Sequence, residues 1–230
     1  MGLIRARISK EGDLKFISHL DMMKVVTRAL RRAELPISYS QGYNPRPQIS
    51  LGPPLPVGLS SQAEYIDFEL EEEMSADSFL ERLKWELPSG MDLKEAWEIE
   101  KGKSLMAILD TACYHLPFYL EEEKPSVEEW KEKFDDLLSA PEIIVERKRK
   151  KKKKRVNLKP LIREWSIKEC NQDHILLEFF VRTGSRGNVR PEELGEIVCR
   201  SLEKLKPPSM VEVVRIGLYR EVDGTFMPPD

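Results

Sequence analysis

An α+β fold of two ferredoxin-like (β-α-β-β-α-β) units with antiparallel sheets, the second elaborated, is predicted by three observations. Short segments at residues 3–8 and 64–70 alternate apolar and polar side chains, the period of a half-buried strand. Amphipathic, capped helix patterns at residues 18–35 and 75–87 follow the first and second of these segments. The second half presents a similar succession of strand and helix patterns with at least one strand more. The boundary falls near residue 101, giving domains 1–101 and 102–230.

The first half reads as follows. Residues 3–8 (LIRARI) alternate apolar and basic, and EGD at 11–13 reads as a turn. Ser18 stands at an N-cap position with Asp21 three residues on. Leu20, Met23, Val26, Thr27 and Leu30 form one helical face, Lys24, Arg28, Arg31 and Arg32 much of the other, and Pro36 stops the helix. Six prolines and three glycines in residues 36–58 forbid helix and predict an ordered, irregular loop with at most short edge strands. The strand 64–70, a helix over 75–87 ended by Pro88 and Gly90, and a strand over 91–99 complete the unit.

In the second half, residues 105–118 read as a strand and residues 125–138 as a helix opened by Pro125 and Ser126. A strand begins at Ile143 and runs into a basic segment. Residues 165–170 and 174–181 form a hairpin about the NQD turn. Pro191 sits at the first position of a helix reaching about Leu205, and residues 211–219 form the last strand.

Composition excludes several classes. The chain has 230 residues, 40% hydrophobic and 33% charged, too apolar for a disordered tail. No run of about 18 apolar residues can cross a bilayer, and the N-terminus lacks a secretory apolar core. Cys113, Cys170 and Cys199 lack metal-ligand spacing and cannot all pair, which points to a reduced, cytoplasmic setting. No two histidines have ligand spacing, so neither metal nor cofactor is expected.

The net charge of −3 averages unlike stretches. Residues 1–60 carry +5, residues 61–146 carry −16, residues 147–155 (RKRKKKKKR) carry +9, and the rest −1. Nine consecutive cations, Arg147, Lys148, Arg149, Lys150, Lys151, Lys152, Lys153, Lys154 and Arg155, form either a solvated hairpin tip or a polyanion contact. Nucleic acid is favoured over anionic lipid, because no amphipathic helix or acylation signal adjoins the run.

Other candidate contacts are Arg5 and Arg7, sharing one strand face; Arg28, Arg31 and Arg32 on the first helix; and Arg46. Tyr39 and Tyr43 either stack on unpaired bases or pack within their loop. Arg186 lies in GSRGN, a phosphate cradle or an ordinary turn. His19, in the first turn of the first helix, is kept neutral by the helix dipole. It either does acid–base work on a phosphodiester, beside Lys24 or Arg46, or packs structurally. His115 and His174 read as structural. No P-loop, dinucleotide fingerprint or nucleophile elbow is present.

Residues 16–21 (FISHLD), the helix ending Arg31-Arg32-Ala33, the segment YSQGYNP at 39–45, SLGPPLPVG at 50–58 and Glu64 together resemble the radical-SAM-linked family of uncharacterised bacterial proteins. Phe118 and residues 154–162 resemble the second half of that family. The resemblance implies a bacterial cytoplasmic protein partnered by a radical SAM protein, and its genomic associations imply RNA metabolism. The CxxxC cluster of a radical SAM enzyme is absent, so this chain would present substrate or dock the catalytic partner. The leading expectation is therefore an accessory protein that binds RNA or presents an RNA-related substrate. The alternatives are a metal-independent ribonuclease or RNA-modifying enzyme using His19, and a protein-interaction module docking through the −16 segment. Nothing in the sequence sets the oligomeric state.

Overall fold

The computed structural model describes residues 2–120, 126–149, 152–171, 173–202 and 205–230. Its elements in chain order are β1 (Gly2–Lys10), α1 (His19–Arg32), β2 (Ile49–Leu51), β3 (Ser60–Leu70), α2 (Ala76–Lys84), β4 (Met91–Glu98), α3 (Leu105–Ile108) and β5 (Thr111–Leu120). There follow α4 (Val127–Ser139), β6 (Ile144–Arg149), β7 (Lys152–Asn157), β8 (Ile162–Cys170), β9 (His174–Arg182), α5 (Pro191–Ser201), β10 (Leu205–Lys206), β11 (Val214–Val222) and β12 (Thr225–Met227). This is a mixed α+β fold of many strands and several helices.

The chain divides into two compact units, Met1–Asp110 with Arg215–Asp230, and Thr111–Val214. This departs from the expected 1–101 and 102–230 division: the last strand belongs with the first unit. The reason is pairing over long sequence separation, which local pattern does not encode. Asp110 N–H donates to the Tyr219 carbonyl (3.0 Å), and the Glu221 N–H to the Asp110 carboxylate (3.1 Å).

In the first unit the strand order is β4-β1-β3-β11, with β2 on β3 and β12 on β11. β1 lies antiparallel to both β3 and β4. Register places Ile4, Ala6 and Ile8 opposite Phe68, Ile66 and Glu64, so these residues share one face. α1 and α2 cover it with Met22, Val26, Ala29, Leu30, Phe79 and Leu83. Ser18 caps α1, its hydroxyl accepting the Asp21 N–H at 3.2 Å, as the sequence predicts. The buried stripe is displaced from the predicted one: Met22 and Ala29 are inside, whereas Leu20 is 71% exposed. The helix ends at Arg32, before Pro36, and beyond its C-cap Ala33 the Glu34 φ of 51° turns the chain out of the helical region.

Residues 36–58 are ordered, as expected. Ile37 bridges Leu70, Tyr39 bridges Pro47, and Leu51 and Leu55 are buried. The turn at 11–13 instead opens a short 3₁₀ helix, Gly12–Phe16. It is held at Gly90, whose carbonyl accepts the Glu11 N–H at 2.7 Å. Gly90 has φ 87°, and a Cβ there would meet the Glu11 carbonyl oxygen at 2.6 Å, so only glycine fits.

In the second unit β9 lies between β5 and β8, both antiparallel to it, and β10 adds to β5. Residues 105–108 are helix rather than the strand expected there, because Ser104 begins a single turn before Thr111 enters the sheet. α4 carries a full capping box between Ser126 and Glu129, and buries Trp130 and Phe134. The basic segment forms the β6–β7 hairpin.

Candidate functional site

β1, β3, β11 and the start of α1 bring four charged or ionisable groups together within the first unit. Register explains why. Lys10 follows Ile4, Ala6 and Ile8 on the core-facing parity of β1, and Glu64 precedes Ile66, Phe68 and Leu70 on that of β3. Both charges are therefore carried into the interior at the end of the sheet beside the α1 N-terminus.

Arg215 on β11 is 0% exposed and Glu64 is 5% exposed. The Arg215 Nε donates to Glu64 Oε1 at 2.9 Å, its second terminal nitrogen pairs with both carboxylate oxygens, and the Pro53 and Pro54 carbonyls accept at 3.1 and 3.4 Å. The proline-rich loop thus supplies oxygen atoms that satisfy a buried guanidinium. Lys10, 1% exposed, donates from Nζ to the Ile17 carbonyl at 2.9 Å. Removal from water lowers the Lys10 pKa; Glu64 opposes that shift and Arg215 adds to it.

His19 is the first residue of α1 and half-buried, and it lies close enough to this cluster to feel its charges. Its pKa lies below the ordinary 6.5, first because burial disfavours the imidazolium. The Glu64 carboxylate pulls the other way, and the Arg215 and Lys10 cations push it further down. The imidazole is neutral near pH 7 and able to accept a proton. Lys10→Met removes one of those cations and is expected to raise the His19 pKa, read from its ring resonances in an NMR titration. A fall would show that the two groups are not coupled as described. A lowered folded pKa gives stability present above 6.5 and lost as pH falls through the folded value. Wild type should lose stability on acidification through this window, and His19→Gln should flatten that slope.

The other predicted contacts are placed unevenly. Arg5 is 4% exposed and bound bidentately to Asp67 (2.7 and 2.9 Å), which corrects its reading as a nucleic-acid contact: the second sheet face is covered there, and the Asp230 carbonyl also accepts from Arg5. Arg7 is half-exposed and pairs with Glu95 at 2.8 Å. Arg28, Arg31, Arg32 and Arg46 are exposed, Arg32 being paired with Glu86 at 2.8 Å. Tyr39 packs against the core, whereas Tyr43 is fully exposed at the loop tip. Lys24 pairs with Asp21 at 2.9 Å. Arg186 is exposed in a 3₁₀ turn.

Within the basic run, Lys148, Lys152, Lys153, Lys154 and Arg155 are exposed. Arg147 is instead paired with Glu193 of α5, at 2.6 and 2.7 Å. Lys150, Lys151 and the Arg149 side chain lie outside the described residues. His115 binds Glu178 at 3.0 Å, and His174 lies beside Asn171 at 3.1 Å. Among the described residues no group of three or more His, Cys, Asp or Glu is arranged to hold a metal ion.

Lys10 and Arg215 are the site residues that sequence reasoning missed, and Glu64 was marked only by its place in a motif. Parity carried the signal for two of them: a charge in phase with buried apolar neighbours on a strand is an anomaly. Arg215 gave none, since its partner lies 151 positions away.

The model of a family described as an uncharacterized protein conserved in bacteria (DUF2344) matches residues 4–191. This chain belongs to that family. Members of the family are associated with radical SAM proteins in bacteria. No curated protein matches the sequence. Among solved structures, the chain is similar to one in the crystal structure of a Cbf5-Nop10-Gar1 complex, with TM-score 0.51 and 12% identity over 93% of this chain and 47% of that one. It is also similar to chains in an H/ACA RNP bound to a substrate RNA containing 2'-deoxyuridine (TM-score 0.48, 12% identity, 93% and 46%) and in the archaeal box H/ACA sRNP Nop10-Cbf5 complex (0.45, 11%, 93% and 46%). The chain spans about half the length of these solved chains, and at such identity the likeness speaks to the fold alone. No helix among the described residues is long and apolar enough to cross a membrane.

Proposed function

We propose that this protein binds RNA and acts on it, with His19 as the catalytic base, kept neutral by burial, and Lys10, Glu64 and Arg215 as charges that adjust its protonation. The observation that carries this reading is the cluster itself: three nearly inaccessible charges, two of them joined as an ion pair, act on one half-exposed, neutral imidazole. A fold needs no such arrangement for stability, since a buried ion pair is often no better than apolar packing. A neutral His19 takes a proton from an attacking hydroxyl or water; burial keeps the resting imidazole deprotonated, and the Arg215 and Lys10 cations add to that against Glu64. RNA is proposed as substrate because the β6–β7 hairpin displays five exposed cations on an otherwise acidic chain. The unit-one strand order β4-β1-β3 with β2 beside β3 supports a ferredoxin-like reading of that unit, and a duplicated arrangement is proposed with it.

The test is incubation of the protein with total bacterial RNA, followed by nucleoside mass spectrometry and gel analysis. Wild type is expected to cleave or alter RNA, and His19→Ala to lose at least about 100-fold in turnover while binding within twofold of wild type. Turnover unchanged in His19→Ala overturns the assignment. A second reading, favoured by the family's association with radical SAM proteins, is that the chain presents RNA to such a partner. It predicts no turnover by the isolated protein and a stable complex with a purified radical SAM protein from the same genome.

A further inference from the structure

The basic hairpin has two faces with different jobs. Antiparallel register pairs Glu146 with Arg155, Arg147 with Lys154, and Lys148 with Lys153. Directly opposed residues share a face and alternate residues change face. One face therefore carries Val145, Arg147, Val156 and Lys154, and the other carries Glu146, Lys148, Lys153 and Arg155.

The first face is tied down at its base, while Lys154 and Lys152 nearer the tip are exposed. Val145 is buried, and the Arg147 guanidinium binds both Glu193 oxygens and the Asn188 carbonyl. Glu193 is itself held, accepting the Arg190 N–H at 3.0 Å at the start of α5. The base of the hairpin is closed by the Asn157 side-chain oxygen, which accepts from the Ile143 and Lys159 N–H groups at 3.0 Å each. The GSRGN segment thus serves the hairpin through the Asn188 carbonyl, which directs Arg147 inward.

The second face is built against itself. Lys148 stands directly opposite Lys153, a like-charge pair that destabilises a hairpin in isolation. Arg155 adjoins them on the same face, and Glu146 offsets part of the charge through Lys153 at 3.1 Å. All four side chains are exposed. The face holds no aromatic residue, and Arg155 is its one planar group, so it lacks the row of stacking platforms that single-strand recognition uses. Lys148 on one strand beside Lys153 and Arg155 on the other suits a phosphate backbone recognised by shape.

We infer that the Lys148–Lys153–Arg155 face binds the phosphate backbone of double-stranded RNA, and that Arg147 is a positioning residue fixing the ribbon's angle rather than a phosphate contact. The inference rests on the RNA reading above and names its substrate class. The test is fluorescence anisotropy of the full chain with a 20-base-pair RNA duplex and a single strand of the same length, each titrated over a range of salt concentrations. Lys148→Gln/Lys153→Gln/Arg155→Gln is expected to weaken duplex binding at least about 30-fold and to make the log–log salt slope shallower by about 2.7, since each phosphate contact contributes about 0.9. Arg147→Ala is expected to weaken binding about five- to tenfold with the salt slope unchanged, and Glu193→Gln to do the same.

Wild-type affinity in the triple variant overturns the assignment of the face. A slope shallower by about one in Arg147→Ala overturns the positioning role. Tighter binding to the single strand than to the duplex overturns the substrate class while leaving RNA binding intact. Binding to neither RNA, by contrast, removes the underlying RNA reading.

Discussion

Arg215→Met is expected to destabilise the first unit by about 3–5 kcal/mol, because it leaves the Glu64 carboxylate buried without its counter-ion. Guanidinium unfolding measures this directly as a lower midpoint. The magnitude follows from burial: the guanidinium is inaccessible, and Glu64 and the Pro53 and Pro54 carbonyls have arranged their oxygens around it. Half-exposed pairs in the same unit, Arg7–Glu95 and Arg32–Glu86, are expected to contribute only about 0–1 kcal/mol each, since water screens them. The double variant Glu64→Gln/Arg215→Met removes both charges and should recover much of the loss. If Arg215→Met alone costs under about 1 kcal/mol, the pair is not desolvated as described.

How much of this was legible in the sequence depends on the range of the interaction concerned. α1 was legible because its determinants are local: Ser18 and Asp21 supply the cap, and the 3.6-residue period supplies the stripe. The stripe itself was misassigned by one helical position, with Leu20 exposed and Met22 inside, since periodicity gives a face but tertiary packing fixes its centre. The β8–β9 hairpin was legible for the same local reason. The assignment of β11 to the first unit was not, because nothing in VEVVRIGLY states which distant strand it meets.

The candidate site divides along the same line. His19 was read from its place in a first helical turn. Its companions were not found, as Lys10, Glu64 and Arg215 meet only once β1, β3 and β11 are aligned. Arg5 shows the converse: alternation placed it on the face away from the helical core, yet that face is itself covered. The basic run was legible as charge, but not as a ribbon with Arg147 withdrawn from its exposed cations. Only the Glu193 contact shows that Arg147 differs from its neighbours.

That difference sets the expected salt dependence of RNA binding. With Arg147 engaged by Glu193, the described exposed cations of the run are Lys148, Lys152, Lys153, Lys154 and Arg155. Three phosphate contacts, from Lys148, Lys153 and Arg155 on one face of the ribbon, give a log–log slope of about −2.7, so affinity should fall roughly 40-fold between 50 and 200 mM salt. Outside residues 147–155 the other 221 residues carry a net −12. The remainder of the chain therefore repels a polyanion on average, and the dependence should be concentrated in the hairpin. Replacing all five cations by glutamine is expected to reduce the slope to near zero, without unfolding the protein, since each side chain is exposed. A slope that persists in this variant would move the RNA contact to the cations of α1 and the loop, Arg28, Arg31 and Arg46. A near-zero slope in wild type would mean that the hairpin carries its charge for a neutral or protein ligand. The measurement thus separates the sites by their charge count before any substrate is known.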